Sequence, residues 1–175
     1  MKITYEVKFL DYWHIGSGVS GGALYDMIIL KDKNNMPYIP GKTLKGLVRE
    51  NIEKLYGEEI MKEQLGSKGD KLSKFYFSNA YMDENEYNEI VSNSLQNYLY
   101  DTLTFTKINK QGVAENDTLR EFEVVLPVSL YGEIEVLQED ADTEKIKNAL
   151  KMIKRMGLGR NRGLGRCEII IKDEK

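Results

Sequence analysis

Ile3, Tyr5, Val7 and Phe9 alternate with Thr4, Glu6 and Lys8 at the start of the chain. A period of two puts one set on a buried face and the other toward solvent, which predicts a strand. The next clear pattern has a period of 3.6. Leu44, Leu47, Val48, Ile52 and Leu55 form one apolar stripe, predicting a helix over residues 44–56 with Thr43 as its cap. A second stripe, Ile146, Ala149, Leu150, Ile153 and Met156, predicts a helix over 143–156, opened by Asp142 and Glu144 and closed by Lys154 and Arg155. Cys167, Ile169 and Ile171 alternate in a last strand, 167–172.

Shorter apolar runs predict strands over 24–30, 75–81, 102–106, 122–126 and 130–137, and a helix over 87–98. Residues 32–35 read as a turn, 58–74 as a polar loop or frayed helix, and 107–117 as the tip of a hairpin. The order strand, helix, strands, helix, strand suits an α+β fold. We expect a ferredoxin-like antiparallel sheet with two core helices on one face and an inserted hairpin. Its first and last strands are expected side by side in the sheet centre. No internal repeat divides residues 1–175, so a single domain is expected, with the hairpin around 100–122.

Composition changes this picture little. Hydrophobic residues make up 41% and charged residues 30% of 175, enough for one buried core. No apolar run reaches the length of a membrane span, and residues 1–6 have no signal-peptide core, so a cytoplasmic protein without a membrane partner is expected. The one cysteine, Cys167, alternates with isoleucines and reads as a small core residue.

Charge changes it more. The net charge is −3, which taken alone disfavours nucleic acid. Yet the stretch between Glu144 and Glu168 contains eight cations and no acid. It includes Gly157-Leu158-Gly159-Arg160-Asn161-Arg162-Gly163-Leu164-Gly165-Arg166, four glycines and three arginines in ten residues. Glycine lets another backbone come close, and the guanidinium fork suits phosphate. A dinucleotide fingerprint runs strand, glycine loop, helix. Here the expected order is helix, loop, strand, and a helix C-terminus repels anions, so arginines must supply the binding. The plainer alternative is a helix C-cap at Gly157 with a turn behind it.

Lys42, Lys45 and Arg49 lie in the loop and first turns of the helix over 44–56, a second candidate phosphate site, because a helix N-terminus favours anions. Gly41-Lys42-Thr43 is not a P-loop: that motif needs a glycine at position 36, where the chain has Met36. The single histidine, His14, excludes a histidine-pair ribonuclease mechanism. No Cys/His cluster has zinc spacing.

Three segments stand together: His14-Ile15-Gly16-Ser17-Gly18, Tyr38-Ile39-Pro40-Gly41-Lys42-Thr43-Leu44-Lys45-Gly46, and the glycine-arginine loop. With Phe77-Ser78-Asn79-Ala80 and Asp117-Thr118-Leu119-Arg120-Glu121-Phe122-Glu123, the set resembles the RAMP superfamily of CRISPR systems. It is most similar to the backbone subunits of type III effector complexes. The resemblance implies an RNA-recognition-motif-like ferredoxin core that grips guide RNA, a thumb-like hairpin that kinks the guide–target duplex, and other effector subunits or copies of the same chain as neighbours. It points to His14, Ser17, Lys42, Thr43, Lys45, Arg49, Arg160, Asn161, Arg162 and Arg166 as RNA-binding residues. It also implies that Asp26, in the loop after the first strand, supports metal-dependent cutting of target RNA, with Mg²⁺ or another divalent cation held by Asp26 and the RNA phosphates. Two other readings stay open: a scaffold without chemistry, and a guide-RNA-processing endonuclease using His14.

Overall fold

The computed structural model describes residues 1–16, 28–67, 71–113 and 119–174. Eight residues of alternating pattern form strand β1, Lys2–Phe9. Helix α1, Gly41–Tyr56, buries Leu44, Val48 and Ile52. Helix α2, Glu58–Leu65, follows through Gly57, and strand β2 is Phe75–Phe77. Helix α3, Glu84–Ser92, and a 3₁₀ turn, Gln96–Leu99, lead to strands β3, Tyr100–Phe105, and β4, Arg120–Val125. Strand β5 is Ser129–Val136, helix α4 is Thr143–Lys151, and strand β6 is Cys167–Glu174.

The main sheet has the order β2-β5-β1-β6, antiparallel at every pair. With α1 and α4 as crossovers, this is the ferredoxin-like arrangement that the pattern predicts. One detail differs: β1 is central and pairs with β6, but β6 lies at the edge. The place beside β1 in the centre belongs to β5, whose Leu130 and Ile134 are fully buried while Tyr131, Glu133 and Glu135 face solvent. Ile3, Tyr5, Val7 and Phe9 join the same core as Leu44, Val48, Ile52, Ile146, Ala149 and Leu150. Strands β3 and β4 form a separate two-stranded sheet, in register from Tyr100↔Val125 to Phe105↔Arg120.

Several expected boundaries shift, each for a local reason. Helix α1 begins at Gly41, so Thr43 is inside it and caps nothing. The Gly41 N–H is taken instead by Asn79 Oδ1 at 3.0 Å, a cap supplied from 38 residues away. Helix α4 ends at Lys151, five residues early. Residues 154–156 trade helical hydrogen bonds for a ladder with the entry to β6: Met156 N–H donates to the Gly165 carbonyl (2.8 Å) and Cys167 N–H to the Lys154 carbonyl (2.9 Å). Ile153 and Met156 still reach the core from this extended segment, so the apolar spacing is satisfied without the helix. Gly157 is therefore not a helix C-cap. In place of the strand expected over 24–30, the described part shows an isolated bridge, Gly16↔Ile29; residues 17–27 lie outside the described residues. The strand expected over 75–81 ends at Phe77, and the helix expected over 87–98 is moved forward to α3 by the Asp83 cap, whose side chain accepts from Asn85 N–H.

Candidate nucleic-acid interface

The glycine-arginine stretch closes a hairpin between the extended segment 154–156 and β6, with Arg155 bridged to Arg166. Two glycines make this closure. Gly165 has φ +69°, and a Cβ there would lie 1.9 Å from the Met156 carbonyl oxygen. Gly157 has φ +91°, and its Cβ would lie 2.2 Å from the His14 carbonyl oxygen. Only glycine meets both demands. The next residue, Leu158, donates its N–H to that same His14 carbonyl at 2.8 Å. The loop is thus laid against the segment that leaves β1.

That segment also carries the β3–β4 hairpin. Trp13 and Val125 exchange two backbone hydrogen bonds (3.1 and 2.8 Å), and Trp13 Nε1–H donates to the Leu126 carbonyl. The Trp13 ring is fully buried and stacks on Phe9 at 4.4 Å. His14 Nδ1 lies 2.6 Å from the Glu123 carbonyl oxygen. The Glu123 side chain is buried too, accepting from Ile29 N–H (3.1 Å) and from Lys31 Nζ (2.6 Å). Lys31 in turn sits 3.8 Å over the Tyr100 ring. Residues 12–15 are therefore a spine, with the glycine-arginine loop on one side and the hairpin on the other.

Between loop and hairpin lies a cleft of about 540 Å³. Gly157 to Arg162 and Leu164 form one wall, Phe105, Arg120 and Phe122 the other, and His14 is the floor. Arg160, Asn161 and Arg162 are exposed at its mouth, and no acidic side chain is among the described residues that line it. Phe105 and Phe122 meet edge to face at 5.3 Å. His14 is only 1% exposed, and burial lowers its pKa from the ordinary value, outweighing the opposing pull of Glu123. The imidazole is neutral near pH 7.

Of the residues expected to bind RNA, the cleft gathers His14, Arg160, Asn161 and Arg162. Arg166 lies just beyond it: its guanidinium pairs with Asp11 at 3.5 Å, and its N–H donates to the same carboxylate. The α1 group is placed elsewhere. Lys42 is exposed, and Thr43 and Lys45 are half-buried. Burial, with some help from Arg49, lowers the pKa of Lys45. Arg49 is committed to the Gly66 carbonyl at 2.7 Å. The two basic segments still feel one another weakly, since Arg160 adds to the dominant effect of Lys54 in lowering the pKa of Glu50 on α1. Ser17 and Asp26 lie outside the described residues. Among the described residues, no three or more His, Cys, Asp and Glu side chains are grouped to hold a metal ion.

Sequence reasoning missed Arg120, Phe105 and Phe122 as cleft residues. A signal existed: Arg120 and Phe122 are two apart, so they share one face of β4, and Phe105 is the register partner of Arg120. The other four-stranded surface is different in kind. The solvent face of the sheet exposes Tyr76 and Tyr131, but among Glu133, Glu135 and Glu168 with Lys2 and Lys8. No helix of the described residues is long and apolar enough to cross a membrane.

The model of the RAMP superfamily matches residues 6–168. No curated protein matches the chain. Among solved structures, it is similar to a chain in the cryo-EM structure of the type III-B Cmr-beta bound to cognate target RNA, with a TM-score of 0.75 at 22% identity. That match covers 98% of this chain and 60% of the other, so this chain spans about three fifths of that relative's length. A chain in the apo type III-B Cmr-beta structure also aligns with a TM-score of 0.75, at 12% identity, over 99% of this chain and 98% of the other. At these identities the likeness establishes a common fold.

Proposed function

The chain belongs to the RAMP superfamily, and from that premise we propose that it is a guide-RNA-binding backbone subunit of a type III-like CRISPR effector complex, acting in antiviral defence. The observation that carries this reading is the cleft between the glycine-arginine loop and the β3–β4 hairpin, with Arg120, Arg160 and Arg162 around it and no acid among the described residues that line it. Guanidinium groups on two facing walls suit a phosphodiester chain, by charge and by their planar donor geometry. The hairpin takes the role of a thumb, set over the backbone that the loop holds. The sheet face supports the same choice, since its carboxylates would repel phosphate. Fold likeness to chains of a complex seen bound to cognate target RNA supports guide and target RNA as partners, with other effector subunits and copies of this chain as neighbours.

We propose further that Asp26 contributes metal-dependent cutting of target RNA, with a divalent ion such as Mg²⁺ supplying charge stabilisation on the phosphate. The support is the place of Asp26 in the sequence, between the end of β1 and the start of α1. The processing-endonuclease reading fits less well, because the His14 ring is buried and one of its nitrogens is held by Glu123. Assembled complexes carrying wild-type chain or Asp26→Asn, incubated with labelled complementary RNA and Mg²⁺, test the cutting. Loss of cleavage with retained guide and target binding is expected. Equal cleavage by both removes Asp26 from the mechanism, and no cleavage by either leaves an RNA-binding scaffold.

A further inference from the structure

Strand β6 is an edge of the main sheet, and its outer rim is open over a short, bounded stretch. The direction of each backbone group follows from the bonds at its start. Arg166 points toward the β1 side: its carbonyl accepts from Leu10 N–H (2.8 Å), and its own N–H donates to the Asp11 carboxylate (2.8 Å). Cys167 points the other way, its N–H donating to the Lys154 carbonyl (2.9 Å). Bonding sides alternate along an antiparallel strand. Glu168 and Ile170 therefore bond β1, opposite Lys8 and Glu6, while Ile169 and Ile171 turn N–H and C=O outward. Among the described residues nothing bonds these outward groups. The segment 154–156 ends the open stretch on one side. The register shift between Thr4 and Tyr5, where β6 bulges after Ile171, ends it on the other.

An open edge templates another strand unless its side chains prevent it, and like charges facing across the join do so. Here the side chains do the reverse. The solvent face of the stretch reads Glu168, Ile170, Lys172, with both charges exposed and Ile170 half-buried. Laid antiparallel on itself with Ile170 opposite Ile170, it sets Glu168 opposite Lys172 at both ends. The same register sets Ile169 opposite Ile171, the pairing in which their outward groups bond each other. A slip of one residue faces an outward group to an inward one, and a slip of two leaves each charge opposite Ile170 or outside the stretch. Lys172 already holds Glu6 at 2.6 Å, yet its side chain is 46% exposed and has donors to spare for a second carboxylate. We propose that two copies of this chain join β6 to β6 about a two-fold axis at Ile170, so that their main sheets become one. This goes beyond the RNA-binding reading and does not depend on it.

The test uses the 175-residue chain without RNA, titrated from about 1 μM to 1 mM, where a small interface associates. Sedimentation velocity is expected to show monomer passing to dimer and no further, because a two-fold join closes on itself. Amide hydrogen exchange by NMR reads the register. Ile169 and Ile171 should slow as concentration rises, while Ile170, bonded to β1, stays slow throughout. Glu168→Lys and Lys172→Glu each set like charges at both ends of the join and should weaken dimerisation about tenfold or more. Circular dichroism checks both, since Lys172 also holds Glu6. Mixing the two variants in equal amounts restores opposite charges at both ends and should restore the dimer, which a loss through misfolding would not allow. Monomer across the whole range overturns the proposal. So does a dimer with unchanged exchange at Ile169 and Ile171, growth beyond dimer, or failure of the folded variants to pair on mixing. None of these outcomes bears on RNA binding, which filter binding measures separately.

Discussion

Arg160→Glu combined with Arg162→Glu removes two of the three arginines around the cleft and leaves Arg120. Both side chains are exposed, and the loop is held by backbone bonds that the change does not touch, such as Arg162 N–H to the Gly159 carbonyl at 2.7 Å. The fold should therefore persist. Each phosphate neutralised on a single strand contributes about −0.7 to the slope of log affinity against log salt, so three contacts predict a slope of about −2. Raising salt from about 50 to 200 mM should then weaken wild-type binding roughly 20-fold, against roughly threefold for the double variant. A charge-assisted hydrogen bond is worth about 1.5 kcal/mol or more, about tenfold, so the variant should also lose roughly a hundredfold in affinity at low salt. Filter binding with labelled single-stranded RNA at four or five salt concentrations measures both. Lys8→Glu, on the solvent face of the sheet, is the control and should leave the slope unchanged. An unaltered slope in the double variant, with native circular dichroism, would refute the placement of RNA in the cleft.

Three further outcomes follow from the geometry. Gly165→Ala should lower the melting temperature by roughly 5–10 °C in a thermal scan: a left-handed alanine and its clash with the Met156 carbonyl together cost about 2–3 kcal/mol. Asn79→Ala removes the cap on Gly41 and should cost about 1 kcal/mol in urea unfolding. The pKa of His14 is lowered in the folded state, so below the ordinary histidine value the unfolded chain binds the extra proton first. Stability should be level above that value and fall as pH drops from it toward the folded one; His14→Ala should be less stable at neutral pH but flatter across this window, as urea titrations at several pH values would show.

The core was readable because its periodicities are strong. The alternation of β1 and the stripe of α1 belong to elements buried on one face, where a slip of one residue would expose the whole set. Long-range partners were not readable. Nothing within ten residues of Gly41 announces that Asn79 will cap it, and Thr43 looked the better choice because caps are usually local. The stripe through Ile153 and Met156 overstated α4 for a related reason: side chains on an extended segment can meet the same core, and the ladder with residues 165–167 outcompetes the last helical turn. For the interface, the glycines and arginines of the loop stood out by composition. Its opposite wall did not, because Phe105 and Arg120 come together only through the pairing of β3 with β4. The burial of His14 and the protonation of its ring depend on Glu123, 109 residues away, which no local motif records.

RNA is proposed to lie between the hairpin and the glycine-arginine loop. Ultraviolet cross-linking of the chain to 4-thiouridine-substituted RNA, followed by peptide mass spectrometry, tests it most directly. Adducts are expected on Phe105, Phe122 and residues 157–162 and 164, which face the cleft. Adducts confined to Tyr76 and Tyr131, exposed on the solvent face of the sheet, would contradict it and place the RNA on the opposite surface.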